Sequence, residues 1–314
     1  MIFNNVKGHP DAKVAIGVLA SRKRVGYLLG CQPSQLGFLL KDSVQNPIPP
    51  VTIPQEKAKC QEVVHLATDP DFDLNRLVRR DEYAGYAGPY ITLGMCYASH
   101  PDTGLHDVTI HRLCIQGKDE LSIFFTRAHA TSAQWQTARR NWDRHFRFPS
   151  VSVLILRLRS VPVSSRRQHP LGYDELSVAG ALRKEPVELC RCVSVKEMAI
   201  ANAEYVIEGE VIPGVRVQED QNSHTGYAMP EFPGYTGPAS DQCRLIKVKA
   251  VTHRRSPIMQ TCIGPSEEHV SMAGIPTEAS IYSMVEKAMR DGSRMCTAVP
   301  QAAESIWRFS SSKN

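Results

Sequence analysis

Apolar residues in this chain fall mostly in short alternating runs, the period of half-buried strands, and only a few stretches carry the 3.6-residue stripe of a helix. The clearest case is Gly88–Glu120. Tyr90–Tyr97 is rich in β-formers, His100–Gly104 has the composition of a turn, and Val108–Ile115 alternates aliphatic with polar residues until Gly117 closes the run. The pattern predicts a hairpin. Before it, Ile2–Val6 and Ala12–Leu19 read as strands around a Lys7–Asp11 turn, and Ser21 stands where a helix running towards Gly30 needs its N-cap. Gln45–Pro54 is a proline-rich connector, and Glu62–Leu66 reads as the first strand of a new unit. After it, Asp174–Leu182 and Pro276–Met289 read as helices, the second capped by Thr277. Glu188–Val193, Ala203–Val211 and Leu245–Thr252 read as strands, and Glu219–Gly237 as a long loop stiffened by Pro230 and Pro233.

Charge changes this picture at the hairpin. Asp107, His111 and Arg112 sit in or beside a strand otherwise fit for burial. A buried charge needs a partner, an ion or a ligand. The plainer alternatives are an edge strand with a solvated face, or an Arg112 paired locally with Asp107.

The totals bound the rest. A chain of 314 residues holds one large domain or two, and 42% hydrophobic residues suits a globular protein. No apolar run is long enough to span a membrane, the first residues are not a signal peptide, and the nine cysteines are scattered. The expectation is a cytoplasmic protein with reduced thiols. Cys190 and Cys192 are too close for ordinary zinc spacing, and no GxGxxG or Walker-type loop is present. The net charge is +5, but nine arginines against one aspartate give +8 to residues 127–169, leaving −3 for the remainder. Such a window normally marks a polyanion surface. Here arginines interrupt every apolar run, and Ser152–His169 keeps no settled period.

Gly88–Glu120 resembles the flavin-proximal segment of the UbiD-type decarboxylases, most closely the non-oxidative hydroxyarylic acid decarboxylases. The resemblance returns at Pro170–Leu182, Ala201–Glu210, Glu219–Gly237 and Val251–Ile281, and it covers most of Met1–Gly292. It implies a mixed α+β fold. A split β-barrel flavin-binding domain would occupy 61–255. A partial N-terminal α/β unit with its linker (1–60) would precede it, and the start of a truncated C-terminal α/β domain (256–292) would follow. The resemblance breaks at 127–169 and at 293–314. Read from the third base of each codon, with suitable synonymous codons, both stretches contain family-like strings. Both are therefore inferred to be out of frame. The basic window is then an artefact of translation, not a nucleic-acid surface, and an inert product of a damaged gene becomes the alternative to an active enzyme.

The resemblance also implies chemistry. The cofactor would be prenylated flavin mononucleotide, held along Thr109, Ile110, His111 and Arg112. Arg112 would orient the substrate carboxylate, a task suited to its rigid, permanently charged fork. Glu231, in Met229–Tyr235, matches the acid that protonates the carbon after CO2 leaves, and Glu219 is the candidate second acid. Manganese, with potassium as a further ion, would tie the flavin phosphate to Asp107, His129 and Glu175; oxygen donors suit such hard cations. Asp107 stands where the wider family has Asn, and His129 is the nearest histidine after Phe124–Thr126. Glu204, Glu208, Glu267, Glu268 and His269 are left without a role. The implied partners are an aromatic carboxylic acid, a flavin prenyltransferase as cofactor supplier and further copies of the chain in a homo-oligomer, with no nucleic acid and no membrane.

Overall fold

A computed structural model of the chain describes residues 1–78, 85–99, 106–124, 150–153, 174–231, 234–288, 295–300 and 305–310. The chain opens with β1 (Ile2–Val6) and β2 (His9–Ile16), an antiparallel pair, followed by α1 (Arg22–Leu29) and α2 (Leu36–Gln45). Ser21 holds the N-cap position of α1 but its side chain makes no capping bond; Gly30 closes the helix in the left-handed region, where a side chain would be strained. Then come β3 (Val51–Thr52), β4 (Val63–Leu66), α3 (Leu74–Leu77), β5 (Tyr90–Ser99), β6 (His106–Gly117), β7 (Glu120–Ile123) and β8 (Ser150–Val153). Next are α4 (Glu175–Arg183), β9 (Glu188–Arg191), β10 (Met198–Ile200), β11 (Tyr205–Val217), β12 (Tyr227–Pro230), β13 (Thr236–Pro238), β14 (Cys243–His253) and β15 (Ile258–Thr261). The last elements are α5 (Glu267–Ala288), β16 (Met295–Pro300) and β17 (Ser305–Ser310).

The architecture is mixed α+β around a barrel-like sheet. Its strands run in the order β11-β8-β5-β6-β7-β14-β4, and a further β11–β14 pairing closes the first six into a ring. β14 is the branch point. β11 lies along one of its edges, while the other is shared between β7, opposite Arg244–Lys247, and β4, opposite Ala250–His253. β6 is flanked by β5 and β7, so its charges do not lie on an edge strand. Leu113, Leu121, Ile123, Ile207 and Ile246 are wholly buried in the core, each such side chain contributing roughly 1.5–3 kcal/mol. Gly94 is required where β5 crosses β6: a Cβ there would lie 2.4 Å from Leu113 Cδ1 and 3.0 Å from the His111 carbonyl oxygen.

The proline-rich connector is a strap rather than a free tether. The amides of Ile48, Val51 and Ile53 donate to the carbonyls of Ser177, Val187 and Leu189, and β3 pairs in parallel with β9. Gly180 of α4 lies against it, since a Cβ would come within 2.3 Å of the Ile48 carbonyl oxygen. Helix α5 begins at Glu267, nine residues earlier than the sequence pattern suggests, with Pro276 inside it. Thr277 is therefore not a cap, and its hydroxyl donates to the Ala273 carbonyl at 2.7 Å. Glu267 and Glu268 supply the negative charge that a helix start favours, and Pro276 removes only one backbone donor. Buried Glu268 also accepts from the amides of Gly17 and Leu19, both at 2.8 Å, which binds α5 to the loop after β2. Arg22 grips Glu278 through two bonds of 2.7 and 2.8 Å.

β8 lies in the stretch expected to be out of frame, and the β16–β17 hairpin lies in the expected frameshifted tail. The rest of 127–169 is outside the described residues. Among the described residues no helix is long and apolar enough to cross a membrane.

Candidate active site

Strand β6 presents Thr109, Ile110, His111 and Arg112 as four consecutive half-buried residues between buried Val108 and Leu113. The Arg112 guanidinium is the centre of the site. Its Nε donates to Glu219 Oε1 at 2.8 Å and its Nη2 to Glu219 Oε2 at 3.0 Å, a side-on bidentate pair. Its Nη1 donates to Glu231 Oε1 at 2.7 Å. The ring of Phe124 lies 5.1 Å from the guanidinium carbon. These bonds take three of the five N–H donors of an arginine and leave two. Burial opposes the Arg112 charge, but the hydrogen bonds and charges of its partners outweigh it and hold the group above its usual value.

The two acids differ in their surroundings. Glu219 is 2% exposed at its side chain, against 39% for Glu231. Glu219 also accepts from the Tyr90 hydroxyl at 3.0 Å and the Ser240 amide at 3.1 Å, so four donors converge on its two oxygens. Its backbone is pinned at both ends: the amide donates to Ser240 O at 2.7 Å, and the carbonyl accepts from Gln116 Nε2 at 2.8 Å. Burial, and then the Glu219 charge, push the Tyr90 hydroxyl far up, which keeps it a donor. Glu231 follows β12. A tight turn holds its backbone, with its amide on Tyr235 O and the Gly234 amide on its carbonyl.

Gly264 packs on this turn: a Cβ there would be 3.1 Å from Glu231 O and 3.3 Å from His269 Cε1. His269, in the first turn of α5, lies 3.3 Å through Nδ1 from Ser266 Oγ and 3.4 Å from Cys262 Sγ. Burial lowers its pKa against the opposing charges of Glu268 and Glu231, so the neutral imidazole is favoured. Tyr90 and His269 are polar neighbours of the site that sequence reasoning missed. The one available signal was the Glu267–His269 triplet, which carries no spacing that points at Glu231.

A second polar cluster lies at the start of β6. His106 Nε2 is 3.4 Å from Asp174 Oδ1, an ion pair rather than a well-formed hydrogen bond, and its ring stacks on Tyr97 at 5.3 Å. Asp174 caps α4, accepting from the Leu176 amide at 3.0 Å and Ser177 Oγ at 2.6 Å. Glu175 is the first residue of that helix, and Glu197 accepts from Ser99. The Asp174 contact raises the His106 pKa, with Glu175 and Glu197 adding charge. Along an extended strand, His106 and Arg112 are roughly 20 Å apart.

The fold therefore brings Arg112, Glu219 and Glu231 together, sets Thr109, Ile110 and His111 on the same strand, and places Glu175 in the other cluster. Asp107 lies on β6 opposite Ala98. Its side chain, and all of His129, are outside what is described. Among the described residues no three His, Cys, Asp or Glu side chains converge as metal ligands. Asp174, Glu175 and Glu197 carry oxygen donors of the type a hard cation takes, without converging on one point.

Comparison with known proteins adds to this geometry. The UbiD profile, the 3-octaprenyl-4-hydroxybenzoate carboxy-lyase Rift-related domain, matches residues 51–267. The gallate decarboxylase of Lactiplantibacillus plantarum is 44% identical over 294 residues, which cover 92% of this chain and 59% of the relative. The apo structure of Klebsiella pneumoniae 3,4-dihydroxybenzoic acid decarboxylase superposes with a TM-score of 0.89 at 43% identity, covering 100% of this chain and 65% of that one. An evolved dimeric form of the UbiD-class enzyme HmfF from Pelotomaculum thermopropionicum, in complex with prenylated flavin, gives a TM-score of 0.78 at 30% identity, covering 95% and 66%. The chain thus spans about three-fifths of the length of the gallate decarboxylase.

Proposed function

This chain belongs to the UbiD family of carboxy-lyases, and from that premise we propose that it removes CO2 from a hydroxyarylic acid, without net oxidation, at the Arg112–Glu219–Glu231 cluster. The observation that carries this reading is the convergence of one arginine and two glutamates, from two distant parts of the chain, on the half-buried stretch of β6. Prenylated flavin mononucleotide, when bound along Thr109–Arg112, would supply an electron sink for the pair left by the departing CO2.

The chain's own residues do the rest. Arg112 uses its two remaining N–H donors to hold the substrate carboxylate. Phe124 and the buried side of the cluster exclude water from that contact. Glu219, with four donors on its two oxygens, is a fixed acceptor that sets the plane of the guanidinium. Glu231 is the proton carrier. It spends one oxygen on Arg112, keeps access to water, delivers its proton to the ring carbon after the carbon–carbon bond breaks, and is reprotonated from solvent. The balance is one proton taken up and one CO2 released per turnover, with no change in oxidation state of the protein. Glu175, with Asp107 and His129 as further ligands, would hold manganese at the other end of β6, with potassium as a second ion. There the cation would neutralise the flavin phosphate against the acid cluster. The reading of an inert chain has no observation of its own in this site, where three hydrogen bonds hold Arg112 in place.

The test uses the full chain co-expressed with a flavin prenyltransferase and assayed for CO2 release from gallate and 3,4-dihydroxybenzoate. Glu231→Gln should keep the flavin absorbance and lose more than about 100-fold in turnover, the usual worth of a positioned acid. Unchanged turnover would remove Glu231 from the role.

A further inference from the structure

Away from Arg112, two histidines face each other at the branch of the ring. His65 lies on β4 opposite Val251, and His253 lies on β14 opposite Val63, so the two are diagonal neighbours across the pair. Their Nε2 atoms are 3.0 Å apart. The rings are close to parallel, 22° between planes, with centroids 5.1 Å apart. His253 Nδ1 is 2.6 Å from the carbonyl oxygen of Arg254. A carbonyl only accepts, so Nδ1 carries the proton, and the Nε2 of the neutral ring holds a lone pair aimed at His65. Tyr205 closes the far side, its ring 5.4 Å from that of His253.

We propose that His65 and His253 form a binding site for a borderline divalent transition ion, Zn2+, Cu2+ or Ni2+, with water completing the coordination. Two nitrogens 3.0 Å apart, each bonded to one ion at the usual imidazole distance of about 2.05 Å, subtend about 95° at that ion. Such an angle suits two neighbouring ligands of a square or distorted tetrahedral site. The carbonyl on His253 Nδ1 is the outer partner that ligating histidines use to fix tautomer and orientation. Both rings are partly exposed, so an ion and its waters can reach them. The nearby charges do not compete: Arg254 lies 3.5 Å from Glu204, and Glu62 accepts from the Arg255 amide at 2.9 Å. Without an ion the pair carries one N–H···N bond along the line between the two nitrogens; to bind, both rings turn so that their lone pairs meet to one side of that line. With an ion the His65 proton moves from Nε2 to Nδ1, and none is lost. Two nitrogen donors set this site apart from the oxygen-rich cluster around His106. No third side-chain ligand joins them among the described residues, so the bound ion should be exchangeable.

The test uses the full chain. Zn2+ at one equivalent should protect His65 and His253, and not the other histidines, from carbethoxylation read peptide by peptide in a mass spectrometer. Equal modification with and without Zn2+ overturns the proposal. With Cu2+ as the probe, electron paramagnetic resonance should show coupling to two nitrogens, falling to one in His65→Gln or His253→Gln with circular dichroism unchanged. A two-nitrogen signal that survives both single variants would also overturn it.

Discussion

Arg112 makes two ion pairs, and the structure separates their energies. Arg112→Met keeps the length of the side chain but strips Glu219 of two of its four donors and Glu231 of its single described one. Removing one partner of a buried pair costs about 3–5 kcal/mol. Glu219 retains Tyr90 and Ser240, so the low end, about 3 kcal/mol, is expected. Glu219→Gln leaves Arg112 facing an amide in place of a carboxylate and should cost about 2 kcal/mol. The double variant removes both charges at once. Its cost should fall short of the sum of the singles by about 2 kcal/mol, a coupling within the range for residues in direct contact. The same cycle on Arg112 and Glu231 should couple by less than about 1 kcal/mol, because the Glu231 side chain is 39% exposed and water screens the pair. Urea unfolding of the six proteins, followed by circular dichroism with a common slope, measures both cycles. Additive Arg112 and Glu219 effects, or a Glu231 coupling as large as that of Glu219, would refute the division between a structural acid and an exchanging one.

Tyr90→Phe deletes one bond to Glu219 without changing shape; it should cost about 1 kcal/mol in urea, and turnover should fall while flavin stays bound. Gly180→Ala would drive a methyl group into the Ile48 carbonyl, so the strap must shift or α4 move; a loss of about 1–3 kcal/mol is expected from thermal melts, and an unchanged melting point would show that the strap gives way freely. The pH dependence of stability has a definite sign at His269. Burial lowers its folded pKa, so in acid the unfolded chain takes up a proton that the folded chain resists. Its contribution is complete above the unfolded value of about 6.5 and is lost as pH falls below it. The melting point of the parent should therefore drop more between pH 7 and pH 5 than that of His269→Gln, and parallel curves would contradict the assignment.

The hairpin of β5 and β6 was legible because alternation and turn composition are local signals, and Arg112 stood out as a charge in a strand fit for burial. What it pairs with was not local. Glu219 and Glu231 lie 107 and 119 residues further along the chain. They meet Arg112 only because β6 sits inside a ring that closes through β11 and β14, a pairing with no signature in either strand. Family resemblance supplied the three residues, and the fold adds that they touch. The start of α5 was misread for a physical reason. Thr277 beside Pro276 looked like a cap, yet its hydroxyl donates to the Ala273 carbonyl inside the helix, and Glu267 and Glu268 mark the true start. Tyr90 read as an ordinary strand aromatic, and only its hydroxyl contact gives it a place beside the site.

The shared guanidinium has a consequence for how an acid substrate enters. One cation facing two ionised carboxylates leaves the trio with a net charge of −1, and an arylcarboxylate would bring a second negative charge to the same pocket. A proton taken up at Glu231, the acid that water reaches, would offset that second charge and bring the loaded pocket back to −1. On the proposed reading, entry of the anion and delivery of the proton would then be coupled, each favouring the other.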